Sequence, residues 1–268
     1  MFRNAIAPVN NRLQSQLGLK PTYASLFLPS IFHNSVISAA ATAILPAYEE
    51  NINTRHGPHR LAALYGFHFL EGKNIGRASD ECDDDCPESI VLLLEYESDY
   101  LYAWLMIVDV ELGVYYPQAK KLCVECGERY REDVGVLEYR ERRSDFLRTF
   151  NNEHVLQGDL EGNLRGIVIT GEASASGISE LGTSALTAVA NDMVELITAI
   201  EPGNVVAHGA AVWAQMSHQH PELWWSCPSR IPKYYTQFVD TQLVGENVPM
   251  YNKLIGAGIE VRRMDGTA

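Results

Sequence analysis

The stretch VLLLEYESDYLYAWLMIVDVELGVYYP, from Val91 to Pro117, decides the fold that this sequence predicts. Its apolar and β-branched runs are typical of strands, and two short polar segments divide them, so we expect a meander of three antiparallel strands. The second turn, ELG, contains the glycine that a tight hairpin prefers. The first turn, within EYESDY, has three carboxylates and no glycine. Backbone N–H groups close around a phosphate most readily where glycine leaves room, so this turn is not suited to hold one.

Strand and helix patterns alternate on both sides of the meander. On its N-terminal side we predict a short strand at 23–32, an alanine-rich helix at 33–50 and a second helix at 57–73. On its C-terminal side we predict a charged helical segment at 126–154, a buried strand at 166–170, and helices at 180–200 and 201–216. Strands that alternate with helices place the fold in the α/β class.

Charge excludes several kinds of partner. The chain of 268 residues has a formal net charge of -13, and residues 78–119 contain eleven Asp and Glu but no Lys, Arg or His. Nucleic acid and anionic membrane surfaces require basic patches, so we expect neither as a partner. Polar residues interrupt the N-terminal segment where a secretory signal needs an apolar run, and the longest apolar run, AWLMIV, is too short to cross a bilayer. We therefore expect a cytoplasmic protein.

The cysteines have spacings that resemble those of zinc ligands. Cys82 and Cys86 form a C-x3-C pair, and Cys123 and Cys126 form a C-x2-C pair. The pairs lie about forty residues apart, which is looser than a zinc finger or ribbon, and the first pair falls in the acidic segment SDECDDDCPES. We expect reduced thiols and no bound zinc.

Several segments together resemble a known family. IVITGEAS, at 167–174, is followed by EPGNVVAHGAAVWA at 201–214. This pair is similar to the adenosine-binding region of the 70-kDa heat-shock chaperones and, more broadly, of the actin-like ATPase superfamily. The segments LFLPSIF, GPHRLAALYGF and ECGERY are also similar to family segments and occur in the family's order, and the meander aligns with its second phosphate-binding hairpin. The resemblance covers Tyr23 to Met216.

The resemblance implies an actin-like, ribonuclease H-like arrangement of α/β lobes. It makes 1–86 a remnant of the first lobe and 87–216 the second lobe, which carries the hairpin and the adenosine-type motif. It also reduces the family's helical lid subdomain to a short charged segment at 129–150. Residues 217–268, which are rich in aromatics and less periodic, are then a C-terminal extension packed on the body.

The departures from the family pattern argue against its activity. Where the family hairpin reads Asp-Leu-Gly-Gly-Gly-Thr, this sequence has Glu95 to Tyr100 and no glycine. A phosphate there would meet Glu97 and Asp99, and one unit-charge contact at about 4 Å costs roughly 4 kcal/mol at an effective dielectric constant of about 20. The adenosine-site positions are also degenerate, at Gly171, Glu172 and Gly209. We expect neither ATP hydrolysis nor ATP as a cofactor.

Two functions are consistent with this pattern. The first is a chaperone-like pseudo-ATPase that acts by binding a protein partner or a second copy of itself, because a truncated lobe leaves apolar surface to cover. The second is an isomerase, cyclase or lyase that uses the former nucleotide cleft for acid/base chemistry on a small organic substrate. Its candidate catalytic residues are Glu95, Glu97, Asp99, Tyr100 and His208.

The acidic residues of the turn have a simpler interpretation beside the catalytic one. Glu95, Glu97 and Asp99 alternate, so on a strand they share one face, where neighbouring carboxylates raise one another's pKa. Charge runs are also common at solvated strand ends, where they do no chemistry. His208, at the start of a helix, is either a general base or a packed residue beside Gly209. We predict no metal site.

Overall fold

The computed structural model describes residues 2–18, 25–44, 56–69, 89–109, 114–157 and 160–219, and every structural statement below concerns these residues. They form seven strands: β1 Leu26–Leu28, β2 His56–Pro58, β3 Ser89–Tyr96, β4 Leu101–Asp109, β5 Val114–Cys123, β6 Leu164–Thr170 and β7 Glu195–Ile197. The α-helices are α1 Phe2–Leu17, α2 Asn34–Ile44, α3 His59–Gly66, α4 Tyr130–Val134, α5 Val136–Asn151, α6 Ala175–Val189 and α7 Pro202–Gln219.

The main sheet is mixed and has the strand order β5-β4-β3-β6-β7. β3, β4 and β5 pair antiparallel, whereas β6 pairs parallel with β3, and β7 pairs parallel with β6. This confirms the α/β class and the three antiparallel strands of the meander. β1 and β2 form a separate parallel pair. The second turn of the meander, at 111–113, lies outside the described residues.

Helices cover both faces of the sheet, which explains why β3 is buried along its whole length and reads as a nearly continuous apolar run. On one face Leu94 and Ile169 pack in a cluster with α5 and α6. On the other face Leu93 and Val168 pack in a cluster with α3 and α7. β3 therefore forms the centre of the core, and its last residues reach the edge where the candidate site lies.

Helices α3 and α7 cross with their backbones in contact. A Cβ atom at Gly209 would lie 1.7 Å from the carbonyl oxygen of Ala62, so any side chain there would push the helices apart. Gly66 lies opposite, since a Cβ there would be 3.2 Å from the backbone nitrogen of Gly209. The crossing thus depends on glycine where the sequence has the HGAA segment.

The helix predicted at 180–200 is wrong in its second half. α6 ends at Val189, and Ala190 takes a left-handed conformation with φ of 49°. Asn191 then forms a turn in which its side chain accepts the N–H of Met193. Glu195, Leu196 and β-branched Ile197 then form the short strand β7, which the sequence did not predict.

Other helix boundaries also differ from the predictions. Gly135, with φ of 88°, divides the charged segment predicted at 126–154 into α4 and α5. The helix predicted at 57–73 begins at His59 and ends at Gly66. The N-terminal helix α1 was not predicted. No helix among the described residues is long and apolar enough to cross a membrane.

The prediction of reduced thiols is wrong for one pair of cysteines. Cys123, the last residue of β5, forms a disulfide with Cys126. The 3-10 turn that follows β5 brings the two sulfurs together, an arrangement that the C-x2-C spacing permits but does not specify. Neither sulfur is then the thiolate that zinc requires. Cys82 and Cys86 lie outside the described residues.

Candidate functional site

Glu95 is a fully buried carboxylate at the end of β3. The backbone N–H of Ser30 donates to both of its oxygens, at 3.0 and 3.2 Å. The hydroxyl of Tyr100 donates to Oε1 at 2.7 Å from the other side of the turn. Segments far apart in the sequence thus converge on this side chain and supply the hydrogen bonds that a buried carboxylate needs.

His59 adds a side chain that can carry positive charge to the Glu95 pocket. It is the first residue of α3, and its Nδ1 lies 3.4 Å from Oε1 of Glu95. Burial alone would raise the pKa of Glu95, but His59, Ser30 and Tyr100 outweigh it and hold that pKa below its usual value. Burial and the neighbouring Glu95 raise the pKa of Tyr100, so Tyr100 stays a phenol that can donate.

Glu97 is the second carboxylate of the site, and its environment is different. Its side chain is half-buried, and Oε2 accepts the N–H of Glu172 at 3.2 Å. Burial raises the pKa of Glu97 to about 7, and the charges of Glu95 and Glu172 add to the rise, whereas the Glu172 N–H and His59 oppose it. Glu97 can therefore take up and release a proton near neutral pH.

Ligand-type atoms of His59, Glu95 and Glu97 lie within 4.8 Å of one another. Such a group could in principle hold a cation. We assign no metal here, because the oxygens of Glu95 already accept hydrogen bonds from Ser30 and Tyr100 and lie beside His59. These contacts stabilise the carboxylate without an ion.

Asp99 lies apart from the two glutamates. β3 ends at Tyr96, so Asp99 belongs to a turn and not to an alternating strand face. The N–H of Glu97 donates to the carbonyl of Tyr100 at 2.9 Å and closes this turn. Asp99 forms an ion pair with Arg129. The structure thus brings together Glu95, Glu97 and Tyr100. Asp99 instead pairs with Arg129 and takes no part in the cluster.

The segment 127–129 packs directly on the carboxylate-rich turn. The N–H of Glu128 donates to the carbonyl of Glu97 at 3.1 Å, and the N–H of Arg129 donates to the carbonyl of Ser98 at 2.9 Å. A Cβ atom at Gly127 would lie 2.3 Å from the backbone nitrogen of Tyr100, so the close approach requires glycine. The ECGERY segment is therefore part of the site.

Glu128 places its carboxylate at the N-terminus of α6. It accepts the N–H of Ser174 at 2.7 Å and also the Ser174 hydroxyl. Ser174 is itself the N-cap residue, since its Oγ accepts the N–H of Gly177 at 3.1 Å. A helix N-terminus favours an anion because its first N–H groups lack intrahelical partners. Here the chain's own carboxylate supplies that anion.

Each of the three predicted adenosine-site positions has a backbone role. Gly171 has φ of 130°, and a Cβ atom there would lie 2.0 Å from the carbonyl oxygen of Tyr96, so glycine lets β6 end against β3. Glu172 contributes its N–H to Glu97, and its side chain is exposed. Gly209 lies at the crossing of α3 and α7.

His208 is not part of the glutamate cluster. It is exposed and lines a cavity of about 320 Å³ beside the C-terminal end of α3, with Phe67, Phe69, Ile197 and Ile200 among the other lining residues. Glu95 contacts the opposite end of the same helix, at His59. A role for His208 as the base of the glutamate site therefore has no geometric support.

Sequence reasoning missed three residues that shape the site: Ser30, His59 and Glu128. His59 follows Gly57-Pro58 at the start of a predicted helix, and Glu128 lies within ECGERY. Both segments are among those that resemble the family, so their polar side chains could have been nominated. Ser30 contributes mainly its backbone N–H to Glu95, for which side-chain type gives no signal.

The fold and the site define an α/β protein whose mixed sheet ends in a buried, hydrogen-bonded carboxylate beside a half-buried one. No protein-family model matches the sequence, and no curated protein matches it significantly. The site's own chemistry therefore carries the functional argument.

Proposed function

We propose that this chain is a pseudo-ATPase: a relative of the heat-shock chaperone ATPases, with an actin-like fold, that has lost ATP hydrolysis and acts by binding. Its partner is another protein or a second copy of the chain. One observation carries the proposal. Glutamates of the chain itself accept the backbone N–H groups that a phosphate would otherwise use, at Glu172 and Ser174.

Glu97 and Glu128 occupy two different positions that would suit a phosphate. Glu97 accepts the N–H that follows Gly171, at the adenosine-type motif. Glu128 accepts N–H and hydroxyl donors at the N-terminus of α6, a position that favours anions. A nucleotide would have to displace both carboxylates and then lie beside ionised Glu95. Like charges at such distances repel, so the arrangement disfavours a triphosphate.

The spatial arrangement of the motifs supports the relationship to this family. The hairpin turn, the ECGERY segment and the strand end at Gly171 lie far apart in the sequence and are in contact at one sheet edge. The two helices that resemble family helices, α3 and α7, cross at Gly66 and Gly209. These are contacts between the same segments that carry the resemblance.

Exposed apolar residues on α5 support the proposed association. Val136 and Leu137 are adjacent at its first turn, and Leu137 is 82% exposed. Single exposed apolar residues are common, but neighbouring ones are favoured where proteins associate. The acidic charge of the chain favours a partner with a basic surface.

Two measurements test the proposal on the unmodified protein. Isothermal titration with Mg-ATP and a phosphate-release assay should show neither binding nor turnover. Sedimentation at several concentrations should show self-association, or complex formation when a binding partner is added. Micromolar affinity for ATP together with turnover would contradict the pseudo-ATPase proposal.

Acid/base catalysis is a second candidate, favoured by the contrast between Glu95 and Glu97. Glu95 is held ionised by its hydrogen-bond partners and His59, whereas Glu97 exchanges a proton near pH 7. Neighbouring carboxylates whose pKa values are pushed apart are a common basis for acid and base roles. Glu97 would move the proton, and Tyr100 would keep Glu95 ionised through its hydrogen bond to Oε1.

Proton exchange provides a test that needs no known substrate. A panel of small carbonyl compounds is incubated with the protein in D2O, and deuterium at the carbon next to the carbonyl is measured by mass spectrometry. Catalysis predicts exchange that Glu97→Gln abolishes and that the control Glu132→Gln, on the exposed surface of α4, retains. If no compound exchanges above background, the enzymatic candidate is rejected.

A further inference from the structure

A disulfide joins β5 to the segment that covers the candidate site. Cys123 ends β5 and is half-buried, whereas Cys126 is fully buried in the apolar core. The carbonyl of Cys126 accepts the hydroxyl of Tyr139 at 2.9 Å, and that hydroxyl lies 2.6 Å from the hydroxyl of Tyr96. Gly127, Glu128 and Arg129 follow immediately. The cross-link therefore lies next to the contacts that hold the hairpin turn.

We propose that Cys123–Cys126 is a redox-active disulfide that a dithiol can open. We further propose that its state sets how firmly the segment 127–129 holds the hairpin turn and the N-terminus of α6. The proposal goes beyond the pseudo-ATPase function and does not depend on it, because it concerns the chain's own contacts. It makes the two cysteines a site of regulatory oxidation and reduction, and it makes Glu128 a residue whose contacts weaken on reduction.

The short span of the cross-link argues for a redox role over a purely structural one. Cys123 and Cys126 are separated by three positions, so the disulfide closes a very small loop. A small loop removes less conformational entropy from the unfolded chain than a large one, and so it stabilises the fold less. The C-x2-C spacing is also the one in which cysteine pairs commonly cycle between dithiol and disulfide.

The difference in burial between the two cysteines determines which sulfur a dithiol attacks. The Sγ of Cys123 is the more accessible sulfur, because Cys126 has no exposed surface. A thiolate of the dithiol attacks the Sγ of Cys123, the protein S–S bond breaks, and Cys126 leaves with the electron pair and takes a proton. The second thiol of the reagent then attacks the reagent's own sulfur in the mixed disulfide and releases Cys123. The protein gains two electrons and two protons, and the dithiol becomes a cyclic disulfide.

The effect on the site follows from the order of residues after Cys126. Glu128 and Arg129 donate their N–H groups to the carbonyls of Glu97 and Ser98, and the Glu128 carboxylate accepts from Ser174. In the oxidised chain these donors are at most three residues from a covalent link to β5. Reduction frees residues 124–126 from β5, and the segment 127–129 then leaves the turn more often.

Hydrogen exchange, followed by NMR or fragmentation mass spectrometry, tests the proposal on the full chain. Samples are prepared with oxidised glutathione or with excess dithiothreitol, and the state of Cys123 and Cys126 is read from peptide masses after alkylation. Reduction should convert the pair to two thiols. It should also make the amides of Glu128, Arg129 and Ser174 exchange roughly fivefold faster or more, while the amides of Leu93 and Leu94 in β3 are unchanged.

The double variant Cys123→Ser, Cys126→Ser is the matched control. It should exchange at the rate of the reduced protein and should not respond to dithiothreitol. Three outcomes would overturn the proposal: a disulfide that persists in excess dithiol, a pair that stays reduced in oxidised glutathione, or identical exchange in both states. If the variant does not fold, the comparison of oxidised and reduced wild-type protein still decides.

Discussion

Glu95 shows how a single charge can be kept inside this protein. Its side chain has no exposed surface, and its charge is matched by hydrogen bonds from Ser30 and Tyr100 and by the nearby His59. A buried carboxylate without such partners would be protonated or would destabilise the fold. The turn that was expected to exclude phosphate is therefore also a structural anchor that ties together three segments of the chain.

Replacing Glu95 tests this anchoring role. Glu95→Gln keeps the size of the side chain but removes the charge and one of the two acceptor oxygens. We expect the free energy of unfolding to fall by about 2–3 kcal/mol, since hydrogen bonds to charged groups contribute about this much. Urea unfolding with an unchanged slope measures the loss, and Glu132→Gln is the surface control. A loss below about 0.5 kcal/mol would mean that Glu95 is not an anchor.

Glu97 gives the stability of the protein a specific pH dependence. Its pKa rises from 4.5 to about 7 on folding, so between these values the folded chain binds a proton that the unfolded chain has released. Its contribution to the free energy of unfolding is complete below about pH 4.5 and is lost as the pH rises to about 7. Glu95, whose pKa is lowered, contributes above pH 4.5 and loses its contribution as the pH falls further.

Glu97→Gln should remove the pH dependence between about 4.5 and 7. Urea unfolding at pH 5 and pH 7.5 should show that the wild type loses about 1 kcal/mol more over this interval than the variant. This figure allows for solvent screening of a half-buried side chain. The charged neighbours Glu95, His59 and Glu172 are the same in both proteins. Equal pH profiles would show that Glu97 titrates normally.

At the level of elements, the crossing of α3 and α7 limits which sequences can fold this way. Gly209 has no space for a side chain, whereas Gly203 in the same helix is exposed and would place a Cβ 3.8 Å from the carbonyl of Gly171. Gly209 and Gly203 are both helical glycines, but only Gly203 has room for a Cβ atom. They form a natural pair of test sites.

Gly209→Ala should destabilise the protein by about 3 kcal/mol or more, because the added methyl group overlaps the backbone of Ala62. Gly203→Ala should be neutral or should stabilise the protein by up to about 1 kcal/mol, because alanine restricts the unfolded chain. Thermal unfolding of both variants measures the difference. Similar melting temperatures would show that the helices do not cross in contact at Gly209.

The elements also show what a single sequence can predict. The meander was predictable because its strands have strong apolar patterns and short polar turns. The strand β7 was not, because three residues are too few to show a strand period and the helical pattern of α6 precedes them closely. Glu95, Glu97 and Tyr100 were nominated from one short segment. Ser30 and His59 reach the site only through tertiary packing, which leaves no local pattern.

At the level of the whole molecule, sites that favour anions are filled by acidic side chains of the chain itself. The net charge of -13, which includes Glu95 and Glu97, opposes the approach of a nucleoside triphosphate. Glu128 places a further carboxylate at the N-terminus of α6. The contacts between the hairpin, the strand end and the helix N-terminus are thus made by groups of the chain itself.

The most direct test follows the amides of Glu172 and Ser174 by NMR during a titration with Mg-ATP. In the wild type, Glu97 and Glu128 accept these N–H groups, and we predict no shift of either signal. In the double variant Glu97→Gly, Glu128→Ala the donors are free, and phosphate-dependent shifts should appear. Saturable shifts of both amides in the wild type at micromolar Mg-ATP would contradict the account.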